Sequence, residues 1–167
     1  MTRSADQAKS ADPTTTSVQQ AAAKVPAGPP DLSHVKVGQR YRFELEQSDT
    51  KMHMVWVVTA VAKFEVRYTV SVLKNGAVLS APTETSWTVT PPSEHEHAAE
   101  PPTKTKPGVT TTFETLALAG RDWSCRVTTS GDVKTWTALA NGAPTFPPLL
   151  KQTTGLVVSS VLLEIDG

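Results

Sequence analysis

Glu94, His95, Glu96 and His97 stand in a row. Two imidazoles two residues apart on an extended chain project to the same side, where they can share a metal ion with a carboxylate close by. A stable metal centre also needs rigid support behind its ligands, and Pro91, Pro92, Pro101 and Pro102 flank this row. Nor is the spacing the His-Glu-x-x-His pattern that sets two imidazoles one helical turn apart. The row therefore reads as solvated loop, with no metal expected. Cys125 is the one cysteine, so no intramolecular disulfide is possible. It falls between Trp123 and Val127 on an apolar strand face, where a thiol behaves as a small buried hydrophobe rather than a nucleophile. His34 and His53 are isolated from any motif. There is no Gly-rich phosphate loop, no G-x-S-x-G elbow and no dinucleotide fingerprint, so neither an enzyme nor a cofactor is expected.

The four tryptophans are the better lead. Each indole needs a partner for its N–H when buried, and four exceed what a core of this size requires. Most read as core or half-buried sheet residues, with one or two left to line a concave, ligand-taking face. The candidate ligand-binding residues are Met54, Trp56, Trp87 and Trp136.

The elements that would position them are strands. From Phe64 to Val72 apolar and polar residues alternate, with Phe64, Val66, Tyr68, Val70 and Val72 on one side, the period of a half-buried strand. Asn75-Gly76 follows, a type I′ hairpin signal. The return strand, Ala77 to Thr90, is interrupted by Pro82, so an edge, a bulge or a break is expected there. Met52 to Val61 differs, because Val55, Val57 and Val61 make its second face apolar as well. Such a strand is covered on both sides, or offers one side to a ligand or partner.

Earlier, Arg40 to Gln47 alternates with Tyr41, Phe43 and Leu45 inward. Later, Thr111 to Leu118, Arg121 to Thr129, Val133 to Leu139 and Leu156 to Ile165 read as further strands. Ala119-Gly120 and Ser130-Gly131-Asp132 are the turns between them. The Pro-rich Ala143 to Pro148 predicts a loop after Asn141-Gly142 rather than a clean hairpin. Residues 1–35, rich in Ala, Thr, Ser, Gln and Pro, read as a disordered arm and linker. The run 91–108, Pro-rich and charged, reads as a long loop.

The formal net charge is zero and the basic residues are dispersed, which removes the electrostatic footprint of nucleic-acid binding. No apolar run is long enough for a transmembrane helix. No secretory leader precedes the domain, which favours a cytoplasmic location.

Val37-Gly38-Gln39-Arg40-Tyr41, Ala119-Gly120-Arg121-Asp122-Trp123-Ser124-Cys125 and Leu162-Leu163-Glu164-Ile165 resemble short motifs of uncharacterised bacterial β-rich proteins. These share a G-Q-x-aromatic opening strand and a late G-R-x-aromatic-x-C strand. The resemblance implies a sheet of the lipoprotein-carrier type, a curved antiparallel sheet cupping an apolar ligand. It brings no catalytic residues with it.

The expectation is thus an all-β domain over residues 36–167, a curved antiparallel sheet or partly open β-barrel of about eight or nine strands. The expected function is that of a non-catalytic binding protein. It would take an extended peptide or protein segment, or an apolar ligand, on a concave face or open edge of the sheet. The alternative is a structural or assembly subunit that uses the apolar sheet face as a homo-oligomer interface, a homodimer being the simplest case.

Overall fold

The computed structural model describes residues 29–47, 50–89 and 108–167. The Glu94–His97 row, most of the Pro-rich 91–108 stretch, the first 28 residues and residues 48–49 lie outside those ranges. All regular structure among the described residues is β-strand. The order is β1 (Arg40–Gln47), β2 (Thr50–Ala62), β3 (Glu65–Lys74), β4 (Ala77–Val78), β5 (Thr83–Thr88), β6 (Val109–Leu118), β7 (Arg121–Ser130), β8 (Val133–Ala140), β9 (Ala143–Thr154) and β10 (Val157–Asp166). The count is ten rather than eight or nine because the return strand is broken in two around Pro82, between Val78 and Thr83, and because Ala143–Thr154, read as a loop at its start, is a strand of its own.

The strands form one antiparallel sheet in the order β4-β3-β2-β1-β10-β9-β8-β7-β6, with β5 also paired to β3. It consists of two meanders joined where β1 pairs with β10. The sheet is not closed, and its edges are β4 and β5 on one side and β6 on the other.

Local chemistry explains the turns. Asn75-Gly76, Ala119-Gly120 and Asn141-Gly142 hold positive φ at both residues, from 51° to 80°. This is the type I′ geometry that matches the twist of the strands it joins. Asn141-Gly142 therefore makes a tight hairpin after all, and β9 starts directly at Ala143. The prolines expected to force a loop sit at or beside a register shift between Thr137 and Leu139 of β8, where the ladder does not call on every N–H. The Phe146–Pro147 peptide is cis. Two strand boundaries also move inward from the sequence reading. Phe64 lies in the turn before β3, and Leu156 lies fully exposed in the turn before β10.

The apolar second face of β2 has a specific origin. Its pairing with β3 slips by one residue between Val58 and Ala60. A bulge inserts one residue and reverses the in–out alternation beyond it. Val58 and Val61 consequently both turn to the core, while Val55 and Val57 stay half-buried on the opposite face.

The core is aromatic. Tyr41, Phe43, Trp56, Val66 and Tyr68 from β1–β3 meet Trp123, Cys125, Val127, Trp136, Phe146, Leu150 and Leu162 from β7–β10. The sheet curls far enough that Phe146 of β9 touches the rings of Tyr41 (5.2 Å), Trp56 (5.8 Å), Tyr68 (5.1 Å) and Trp87 (6.0 Å). Residues 29–35, read from sequence as linker, are part of this structure. Val35 is buried and Leu32 packs on the core. The backbone oxygen of Asp31 accepts from Thr145 Oγ1 (2.6 Å), and its carboxylate accepts from Asn141 Nδ2 (3.2 Å). His34 Nε2 lies 2.9 Å from the Phe146 carbonyl. Composition suggested disorder because the few apolar residues here, Leu32 and Val35, show no periodicity. Their packing comes from the tertiary fold.

Candidate functional site

The four candidate ligand residues are packed rather than presented. Trp56 is buried, with ring centroids 4.5 Å from Phe43 and 4.9 Å from Tyr68. Its Nε1–H is buried without a hydrogen-bond partner. Met54 and Trp87 are half-buried against the same cluster. Phe146 brings Trp56 and Trp87 together by touching both. Trp136 is buried too, and its Nε1–H donates to Glu114 Oε1 across β7. Lys134 Nζ and Lys151 Nζ stand 4.6 and 5.0 Å from the Trp136 ring centroid, a cation–π arrangement.

Cys125 sits at the centre of the same face. Burial pushes its thiol up to about 11, and the Glu114 carboxylate adds to the shift. The thiol donates to the Trp123 carbonyl at 3.4 Å, so at neutral pH it is protonated and held. Tyr41 is raised well above the usual phenol range by burial, and its hydroxyl donates to Gln39 Oε1 at 2.8 Å. Among the described residues no three His, Cys, Asp or Glu side chains converge as metal ligands would. No helix there is long and apolar enough to cross a membrane.

Two grooves lie among the described residues, and none of Met54, Trp56, Trp87 or Trp136 lines either. One, of about 460 Å³, lies between the β6–β7 turn and Val161–Leu163 of β10. The other, of about 450 Å³, crosses the outer face of β10, β1, β2 and β3, with Val55 and Leu73 among Arg40, Arg42, Lys51 and His53. Its charges are partly paired, Arg42 with Glu164 at 3.7 Å and Lys51 with Glu44 at 3.0 Å.

The feature that composition did not single out is the edge strand β6. All ten residues pair with β7 without a register shift, and among the described residues no strand pairs with its other side. Long edges are normally blunted by lysine, proline, a bulge or inward charge. VTTTFETLAL contains no Lys, Arg or Pro and no bulge; the one such device it carries is Glu114, whose carboxylate turns inward to Trp136 Nε1–H. Phe113, at its middle, is 44% exposed. The sequence signal was the run of Thr, Val and Phe without a basic residue. Only the topology identifies it as an edge.

No known protein family, curated protein or solved structure matches the chain.

Proposed function

We propose that this chain is a non-catalytic binding protein that takes an extended protein segment by strand addition along β6. The observation that carries the reading is the outer side of β6, which pairs with no described strand and carries no Lys, Pro or bulge. In the two-residue turn Ala119-Gly120, the Leu118 carbonyl accepts from the Arg121 N–H. Antiparallel pairs alternate between exchanging hydrogen bonds and not. The main-chain groups of Thr110, Thr112, Glu114, Leu116 and Leu118 therefore serve β7. Those of Val109, Thr111, Phe113, Thr115 and Ala117 point outward. In strand addition these outward groups supply affinity, and alternate side chains supply specificity.

An apolar guest in the cup is the weaker reading, because Phe146 already fills the concave face between Tyr41, Trp56, Tyr68 and Trp87.

The test is fluorescence anisotropy with labelled Val/Thr-rich extended peptides. Thr111→Pro and Thr115→Pro remove outward N–H donors while leaving the β7 ladder alone. Saturable binding that both variants lose, with unchanged circular dichroism, supports the reading. Binding equal in wild type and variants sinks it, as does slow amide exchange at Thr111, Phe113 and Thr115 at a concentration where the chain is monomeric.

A further inference from the structure

We propose that the strand which fits β6 is β6 of a second copy of this chain, added antiparallel about a two-fold axis through Phe113. The inference rests on the strand-addition reading and names its partner.

An isologous contact uses the same patch on both copies. Residues that face each other across an antiparallel pair project from the same side of the sheet. An axis on β6 must therefore set a residue opposite its own counterpart. Phe113 and Glu114 are the two central choices. They are not equivalent.

With Glu114 on the axis, two carboxylates would oppose each other in a pair that exchanges no hydrogen bonds, about 4.5 Å apart at Cα. Like charges directly opposite are destabilising, and β6 holds no basic residue to offset them. Each Glu114 is moreover already held by Trp136 Nε1–H of its own chain.

With Phe113 on the axis, the mismatch disappears. Phe113 meets Phe113, Thr111 meets Thr115, Val109 meets Ala117, and Glu114 meets Thr112. Aromatic and Thr–Thr pairs are among the favourable cross-strand combinations. The residues set opposite one another in this register include all five whose N–H and C=O point away from β7. They exchange about ten hydrogen bonds across the axis. A foreign peptide can satisfy the same backbone groups. The self-match of charge, side-chain type and hydrogen-bonding parity, centred on the most exposed aromatic ring of the strand, is what selects a second copy.

The experiment uses the full chain. Sedimentation equilibrium reads whether a species of twice the 17.9 kDa chain mass forms. Phe113→Lys places like charges on the axis at an exposed position, and Thr115→Pro removes an outward donor. Either is expected to weaken association at least tenfold with the fold intact by circular dichroism. Register is read by oxidation. Phe113→Cys, at about 5.5 Å Cα separation, forms an interchain disulfide, whereas Thr115→Cys, which meets Thr111 instead, does not.

A chain monomeric throughout the accessible concentration range overturns the inference. Peptide capture by such a monomer leaves the strand-addition reading standing, so the two failures are distinguishable. A dimer that survives both β6 variants overturns it by locating association elsewhere. Dimerisation only after residues 91–107 are replaced by a Gly-Ser linker of equal length also overturns it, because the chain's own connection would then occupy the edge.

Discussion

The ring of Phe146 in β9 meets that of Tyr68 in β3 at 5.1 Å and 63°, although β2, β1 and β10 lie between their strands in the sheet. That contact measures the curl, which brings the apolar faces of β1–β3 and β7–β10 together in one core.

Phe146→Ala is therefore expected to cost about 3–5 kcal/mol, the range for truncating a fully buried phenylalanine. Phe146→Leu keeps most of the volume and is expected to cost about 1–2 kcal/mol. Urea denaturation followed by tryptophan fluorescence checks both. Equal, small costs would show that the ring does not hold the curl.

Two buried tryptophans should respond differently to the same change. Trp56 Nε1 is buried without a partner, so Trp56→Phe removes an unsatisfied donor and is expected to stay within about 1.5 kcal/mol of wild type. Trp123 Nε1 donates to the Leu118 carbonyl at 3.2 Å, and the Arg121 guanidinium lies 3.9 Å from its ring centroid. Trp123→Phe forfeits the hydrogen bond and weakens the cation–π contact, for about 2–3 kcal/mol. The reverse order in denaturation midpoints would contradict these placements.

What could be read in advance follows from these same residues. Tyr41 and Phe43, and Trp123, Cys125 and Val127, alternate strictly and were legible as inward-facing, because a strand has period two. Val61 was not. Its inward turn depends on a one-residue slip against β3, and a bulge is visible only once the partner strand is known. Period also tells which face a side chain takes, not what fills the space before it. Trp56 and Trp136 thus read as candidate ligand contacts when Phe146 and Glu114 are their partners. The edge at β6 was hidden for a related reason. It exists because β1 pairs with β10, a pairing between residues far apart in sequence that no local pattern specifies.

Cys125, Tyr41 and Tyr68 are all raised by burial, and this fixes the sign of an alkaline effect. Above about pH 9 the unfolded chain releases these protons before the folded chain does, so folding stability falls as pH rises. The thiol's share is lost between its ordinary value of 9.0 and about 11. Denaturation midpoints at pH 8 and 10.5 should differ in that direction, and Cys125→Ala should show a smaller difference. A thiol reagent at pH 8 should modify Cys125 only after denaturant is added. Rapid labelling of the native chain would contradict the placement.

Ala119 holds φ at +51° in its hairpin, where a Cβ is strained and asparagine is better tolerated. Ala119→Asn is expected to raise stability by about 0.5–1 kcal/mol, read as a higher melting temperature with an unchanged far-ultraviolet spectrum. A loss of stability would mean that the methyl contact with the core outweighs the backbone strain.

The central pairing of β1 with β10 makes the sheet two halves joined by one ladder, with the Phe146 cluster packed between them. Residues 29–89 form one meander and 108–167 the other. Every other strand pairing among the described residues closes within a half, between neighbours in the chain or, for β3 with β5, across one short strand, and only this one spans most of its length. Local hairpins form early and distant pairings late, so the halves should take shape separately and dock last. A chain cleaved within 90–107 would keep every ladder described. The protein should then behave as a split pair, whose two fragments recover the fold only in each other's presence.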